Sequence, residues 1–207
     1  MAYDLKQITN ELEGQVSTLN QQSIADWLPK FQSIYRTGMS TGISAAFLRY
    51  LAEATGMKME ELPTQVPNFA KISKERTEQV FNKLSEKLGD QDSQDYAIMN
   101  ARLTSLIAVA KDVDTWEEAQ TAKTSNLNLD ALLHVYFYGF QYGFQISFWA
   151  GMVEYDFAYQ GRQITQKEGA ELAQSAAVAE TNEQMQFALE HDDILAQTYF
   201  YILNSLK

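Results

Sequence analysis

The chain has 207 residues, 45% of them hydrophobic and 12% aromatic, with 10 glycines, 3 prolines and no cysteine. That is enough apolar material for a sizeable core and too little Gly and Pro for a loop-rich or all-β design. The missing cysteines exclude disulfides and cysteine-based zinc sites, and a formal charge of −11 opposes both nucleic-acid backbone binding and attraction to an anionic membrane.

The start, Met-Ala-Tyr-Asp-Leu-Lys-Gln, lacks a basic region followed by an apolar run, so no secretory signal is expected and the expected location is cytoplasmic. Leu5, Ile8, Leu12, Val16 and Leu19 recur at spacings of three and four, which predicts a first amphipathic helix. Ser23 and Asp26 suit a cap, and Pro29 suits the first turn of a second helix running to about Thr55, with Gly56 to end it. Pro63 and Pro67 make residues 57–69 a connector. A third helix is predicted from Ser73 to Gly89, carrying Val80, Phe81, Leu84 and Leu88. After a turn at Asp90–Ser93, a fourth is predicted from about Gln94 to Ala122, with Tyr96, Met99, Leu103, Leu106, Val109 (or Ala110) and Val113 inward.

The next helix, Leu129 to Tyr159, is the most informative. Gly139, Gly143, Ser147 and Gly151 recur every four residues, and Phe140, Phe144, Phe148 and Met152 lie beside them. On a helix this places a groove almost without side chains next to an apolar ridge, and allows another helix to come very close. Ala131 to Val153 carries no Asp, Glu, Lys or Arg and is long enough to cross a bilayer. Gln141 and Gln145 at its centre, its tyrosines, and the acidic flanks Asp130, Glu154 and Asp156 argue for a buried helix and against a membrane span. Thr165 and Glu168 form a capping box for a last helical stretch reaching Leu206, with a break near His191-Asp192-Asp193. No strand is predicted. The expected fold is an all-α helical bundle of six or seven helices in a single domain, 1–207.

A shift of 101 residues lays Gly38 on Gly139, Gly42 on Gly143 and Ala46 on Ser147. It also lays Met39, Ile43, Phe47 and Leu51 on Phe140, Phe144, Phe148 and Met152, Tyr35 on Tyr136, and Glu53 on Glu154. Upstream, Leu5, Ile8 and Leu12 fall on Leu106, Val109 and Val113. Two readings stand side by side: an internal duplication of a three-helix unit, 1–100 and 101–207, about a pseudo-twofold axis, and a chance match of amphipathic helices slid into phase. Under the first, Gly38, Gly42, Ala46, Gly139, Gly143, Ser147 and Gly151 are the helix-packing residues of a central crossing.

Few residues point to chemistry. His134 and His191 are the only histidines, and neither follows a Glu by three residues or belongs to a His-Glu-x-x-His run, so no metal site is expected. No phosphate-cradling glycine loop and no signature of a nucleophilic triad is present, so no cofactor and no catalytic residue is assigned. Glu53 and Glu154 could do the acid–base work of an enzyme if they met across the proposed axis, where burial and proximity would raise one pKa, although each also suits the surface at the end of its apolar run. Tyr138, Gln141, Tyr142, Gln145 and Trp149 are candidate ligand-binding residues for a small apolar or aromatic molecule, since buried Tyr and Gln need hydrogen-bond partners. A tightly packed core is the plainer account of the same face. Leu51 to Leu62 resembles the first half of a helix-turn-helix, but Pro63 and Pro67 stand where the recognition helix belongs, and the basic stretch Lys71–Lys87 alternates with Glu75, Glu78 and Glu86. The expected role is non-catalytic binding or assembly inside the cell through a protein partner or a homodimer, with no nucleic acid and no membrane. The alternative is a carrier or sensor holding a small apolar ligand at the tyrosine face.

Overall fold

The computed structural model describes residues 5–154 together with Thr165, Lys167, Glu168 and Glu171. The fold is all-α, with seven helices and no strand among the described residues: α1 (Leu5–Asn20), α2 (Ile24–Thr55), α3 (Leu62–Gln65), α4 (Phe69–Gly89), α5 (Gln94–Ala110), α6 (Trp116–Ala119) and α7 (Leu129–Glu154). One apolar core draws on α1, α2 and α4 to α7, and a smaller cluster of Leu48, Leu62 and Phe69 closes the far end of α2. The expected continuation of the central helix to Tyr159, the helix to Leu206 and the break near His191 lie outside the described residues.

α2 and α7 form the centre. Gly38 lies against Tyr136 and Phe140, Gly42 against Phe140 and Phe144, and Gly151 against the Tyr50 ring. Residue numbers rise together along the two helices, so they run parallel. Parallel neighbours cannot be joined by a short turn, and residues 56–128 make the return through α3 to α6. α5 runs back along the pair: Asp95 lies near Tyr142, the Arg102 guanidinium over Tyr138, and the Lys111 ammonium over Trp27.

The local rules hold at several ends. Gly56 takes the left-handed conformation (φ 68°) that stops α2. Ser93 caps α5 by accepting the Tyr96 N–H at 3.0 Å. Thr165 and Glu168 make the reciprocal box, Thr165 N–H to Glu168 Oε2 at 3.0 Å and Glu168 N–H to Thr165 Oγ1 at 3.3 Å.

Other boundaries differ from expectation. α2 starts at Ile24, and Pro29 lies inside it. The burial of Trp27 and Phe31 outweighs the N–H that proline cannot donate to the turn below. Ser23 takes the cap position, but its hydroxyl donates to Asp26 and accepts no helix N–H. Pro63 lies in the first turn of the short helix α3, just after Leu62, where its missing N–H costs nothing. α4 opens at Phe69 after left-handed Asn68, so Ser73 is a buried interior residue. α5 ends at Ala110, twelve residues before the expected Ala122, because Asp112 turns left-handed (φ 58°) and Thr115 starts a new helix by accepting the Glu118 N–H.

The base of the bundle is tied by polar contacts. Trp27 is fully buried, its Nε1–H donating to the Leu19 carbonyl at 2.7 Å. Asn20 donates to the Leu127 carbonyl, and the Asn126 N–H to that of Ala110, so the strand of chain entering α7 is fastened to α1 and α5. Lys111 is 5% exposed, with its ammonium 4.2 Å from the Trp27 ring centre, and burial pushes its pKa down.

Candidate functional site

The α2–α7 crossing has a reciprocal geometry. A Cβ built on Gly38 would overlap the Tyr136 carbonyl, and one on Gly139 would overlap the Tyr35 carbonyl. Gly42 meets Phe140 in the same way, and Gly143 meets Met39. Tyr35 and Tyr136, like Met39 and Phe140, stand 101 residues apart, so each contact has a counterpart related by a local twofold along the helices. Backbones this close gain Cα–H···O contacts and dispersion over the whole crossing. Ala46 is fully buried on the next rung, and the Ser147 Oγ is buried with no hydrogen-bond partner. Gly151 is looser, since its added Cβ would stand 3.2 Å from the Tyr50 ring.

The correspondence does not extend to the upstream residues. The shift places α1 over the end of α5, a turn and α6. Ile8 packs against the core, whereas Val109, on which it falls, is 70% exposed. The reciprocity therefore belongs to the crossing of α2 and α7.

Three tyrosines border that crossing. Tyr35 and Tyr142 have ring centres 6.1 Å apart, and the Tyr136 hydroxyl lies beside Thr41. Thr41 and Tyr142 are themselves 101 residues apart. Burial pushes the Tyr136 phenol up to about 12, with a further push from Glu11. Burial also raises Tyr35 and Tyr142 well above the usual tyrosine range; Asp95 adds to both, and Arg102 offsets part of the rise at Tyr35. The Tyr136 and Tyr142 hydroxyls are buried and make no hydrogen bond of good geometry. Replacing Tyr136 by Phe is expected to leave stability unchanged or to raise it by about 1 kcal/mol, because an unpaired buried hydroxyl is removed. A urea melt checks this, and a loss larger than about 1 kcal/mol would show that the hydroxyl has a partner.

Of the candidate ligand residues, Tyr138, Gln141, Tyr142 and Gln145 are half-buried on α7, and the Trp149 side chain lies outside the described residues. Tyr138 has Arg102 at 5.0 Å from its ring centre and His134 beside it, while Tyr142 meets Tyr35 and Asp95. These rings are engaged by protein groups. Two grooves of about 610 and 470 Å³ lie elsewhere, along α2 with α4 and α2 with α1, and no tyrosine lines either. The His134 ring Nδ1 is 2.8 Å from the Asp130 carbonyl. Among the described residues no three of His, Asp and Glu come together in a way that could hold a metal ion. The Glu53 and Glu154 side chains and the His191 cluster lie outside the described residues. No helix among the described residues is long and apolar enough to cross a membrane.

Sequence reasoning passed over the outward face of α5. Gln94, Ala97, Ile98, Ala101, Arg102, Ser105 and Val109 are exposed there, with Arg102 the single charge. Of the two residues expected inward at this position, Val109 or Ala110, the structure buries Ala110 and leaves Val109 exposed. The missed signal was composition: over its seventeen residues α5 carries only Asp95 and Arg102 as charges. Comparison of the chain with protein-family models, with curated proteins and with solved structures finds no match.

Proposed function

We propose that this is a non-catalytic intracellular assembly protein that works through protein–protein contacts, with the outward face of α5 as its contact surface and a second copy of the chain as its first partner. One observation carries the reading. Of the three large apolar side chains left exposed among the described residues, Ile98 (46%) and Val109 (70%) share this one face. The solvent side of α4 is built differently, with Lys71–Glu75 and Lys74–Glu78 pairs at i,i+4 spacing. Two molecules of charge −11 repel, so they meet at least cost where neither brings carboxylates. A basic partner would be drawn to the acidic faces and away from this one.

An antiparallel pairing of α5 with its copy, centred between Ala101 and Arg102, sets Ile98 opposite Ser105 and Val109 opposite Gln94. Ala97 and Ala101 let the helices approach closely. Seventeen helical residues span about 25 Å, a small contact that calls for concentration-dependent association. Light scattering across a concentration series is expected to show a dimer, and Val109→Glu with Ile98→Glu to abolish it while leaving the helical signal and melting point unchanged. A chain that stays monomeric throughout, together with no crosslinked product from a photoreactive residue at 109 in cells, would defeat the reading.

A further inference from the structure

Between α2 and α4, a groove of about 610 Å³ is lined by Pro29, Gln32, Ser33, Arg36, Thr37 and Ser40, with Phe81 of α4 as its wall. That volume lies in the usual range for small-molecule sites. Arg36 is the groove's only charged residue and is half-buried. It makes no hydrogen bond, ion pair or ring contact with another residue among those described.

Among the described arginines this isolation is particular to Arg36, and the lysines that share it, Lys30, Lys58, Lys83 and Lys123, are all exposed to water. Acidic residues outnumber basic ones by 27 to 16, so carboxylates are plentiful. Arg102 and Lys111 lie over aromatic rings, Lys71, Lys74 and Lys87 pair with carboxylates, and Arg49 and Arg76 have partners of their own. An arginine held half out of water without an acceptor retains an unmet demand for one.

The surrounding donors point the same way. Gln32, Ser33 and Ser40 lie four before, three before and four after Arg36, which puts them on one helix face with it. Thr37 is committed, its hydroxyl donating to the Ser33 carbonyl at 3.1 Å. At the upper end the Ser44 hydroxyl is occupied by the Ser40 carbonyl and Thr77. Gln32, Ser33 and Ser40 line the groove with Arg36, and their side chains make no hydrogen bond among the described residues. Pro29 and the Phe81 ring supply apolar surface at its end and side.

We infer that this groove binds a small molecule carrying a carboxylate or phosphate on an apolar body. Arg36 takes two oxygens of the anion as a planar fork, the Ser33 and Ser40 hydroxyls complete the shell, and the body lies against Phe81 and Pro29. The site is independent of the α5 contact face and stands or falls separately from it.

The test uses the full chain with phenyl phosphate, benzoate and inorganic phosphate as probes, read by amide NMR shifts of residues 29–40 and by calorimetry. At least one of the two aromatic anions is expected to shift those amides saturably and to bind more tightly than inorganic phosphate. Arg36→Gln is expected to weaken that binding about tenfold or more, the loss of a charge-assisted hydrogen bond. Arg36→Lys is expected to recover only part of it, and Phe81→Leu to narrow the advantage over inorganic phosphate. Removing exposed Lys58 should change nothing. Absence of saturable shifts with both aromatic anions overturns the site. So does equal binding by Arg36→Gln, or an equal loss with Lys58→Gln, which would mark general charge screening. Arg36 has no partner to lose among the described residues, so Arg36→Gln should melt with the parent chain.

Discussion

Alanine at Gly38 is expected to lower stability by about 3 kcal/mol or more, the upper end of what overpacking costs. The reason is what the new methyl meets. It would fall on the Tyr136 carbonyl and close to the Phe140 N–H, inside 3.0 Å of backbone for the nearest atoms. A side chain in that place could rotate away, but a backbone carbonyl in the middle of α7 moves only if the helix moves. The crossing would have to open, and Met39, Ile43, Phe144 and Phe148, all 2% exposed or less, would lose contact. Against this stands the helix-propensity gain of Gly to Ala, about 0.5–1 kcal/mol.

Two controls separate the terms. Gly14 within α1 and Gly89 at the end of α4 have nothing within 4 Å of an added Cβ. Gly14→Ala is expected to stabilise by about 0.5–1 kcal/mol. Urea melts of the three variants decide the matter, and equal behaviour of Gly38→Ala and Gly14→Ala would refute a tight crossing. Substituting Gly38 and Gly139 together should cost less than the sum, because the first change already separates the helices that the second would push apart.

Alkaline pH is expected to unfold the protein through the same region. Tyr35, Tyr136 and Tyr142 all have phenols whose folded pKa lies above the usual value, mainly from burial. A pKa raised by folding means the fold favours the neutral phenol. The stability tied to it is fully present below the unfolded value near pH 10 and is lost as pH rises through the folded value. For Tyr136, 2% exposed and raised to about 12, that loss is about 3 kcal/mol between pH 10 and 12. With Tyr35 and Tyr142 adding in the same direction, the loss becomes a large part of an ordinary domain's stability. Tyrosinate absorbance and helical ellipticity followed together should therefore show exposed tyrosines titrating first and a cooperative step above pH 10. If all 11 tyrosines titrated near pH 10 with ellipticity unchanged, the buried phenols would have no hold on the fold. Tyr136→Phe should move the step to higher pH.

The parts of the molecule legible in advance share a physical character. Small residues every four positions at 38–46 and 139–147 specify a helix face on which nothing intervenes between backbones, and only another backbone fills that space closely. Gly56, Ser93 and the Thr165–Glu168 box were legible because caps act within four residues. The end of α5 was misjudged although Thr115 and Glu118 carry a cap signal of the same kind. The apolar periodicity of Leu106, Val109 and Val113 ran through it and masked the turn at Asp112. Ser73 likewise resembled a cap, yet the burial of Phe69 against Leu48 and Leu62 pulled the helix start upstream. The tyrosine face was recognised as polar and buried, but which groups would answer it depended on Asp95 and Arg102 arriving from another helix.

The sequence by itself determined the helical class, the apolar stripes and the two glycine faces, since each depends on periodicity within a single segment. Tertiary structure decided what those faces meet: that α2 and α7 run parallel, that α5 leaves Ile98 and Val109 in water, and that Arg36 finds no carboxylate among the described residues. Such outcomes depend on how residues far apart in the chain are brought together by the return of residues 56–128. No local propensity encodes the direction of that return, because it is chosen by the packing of the whole core.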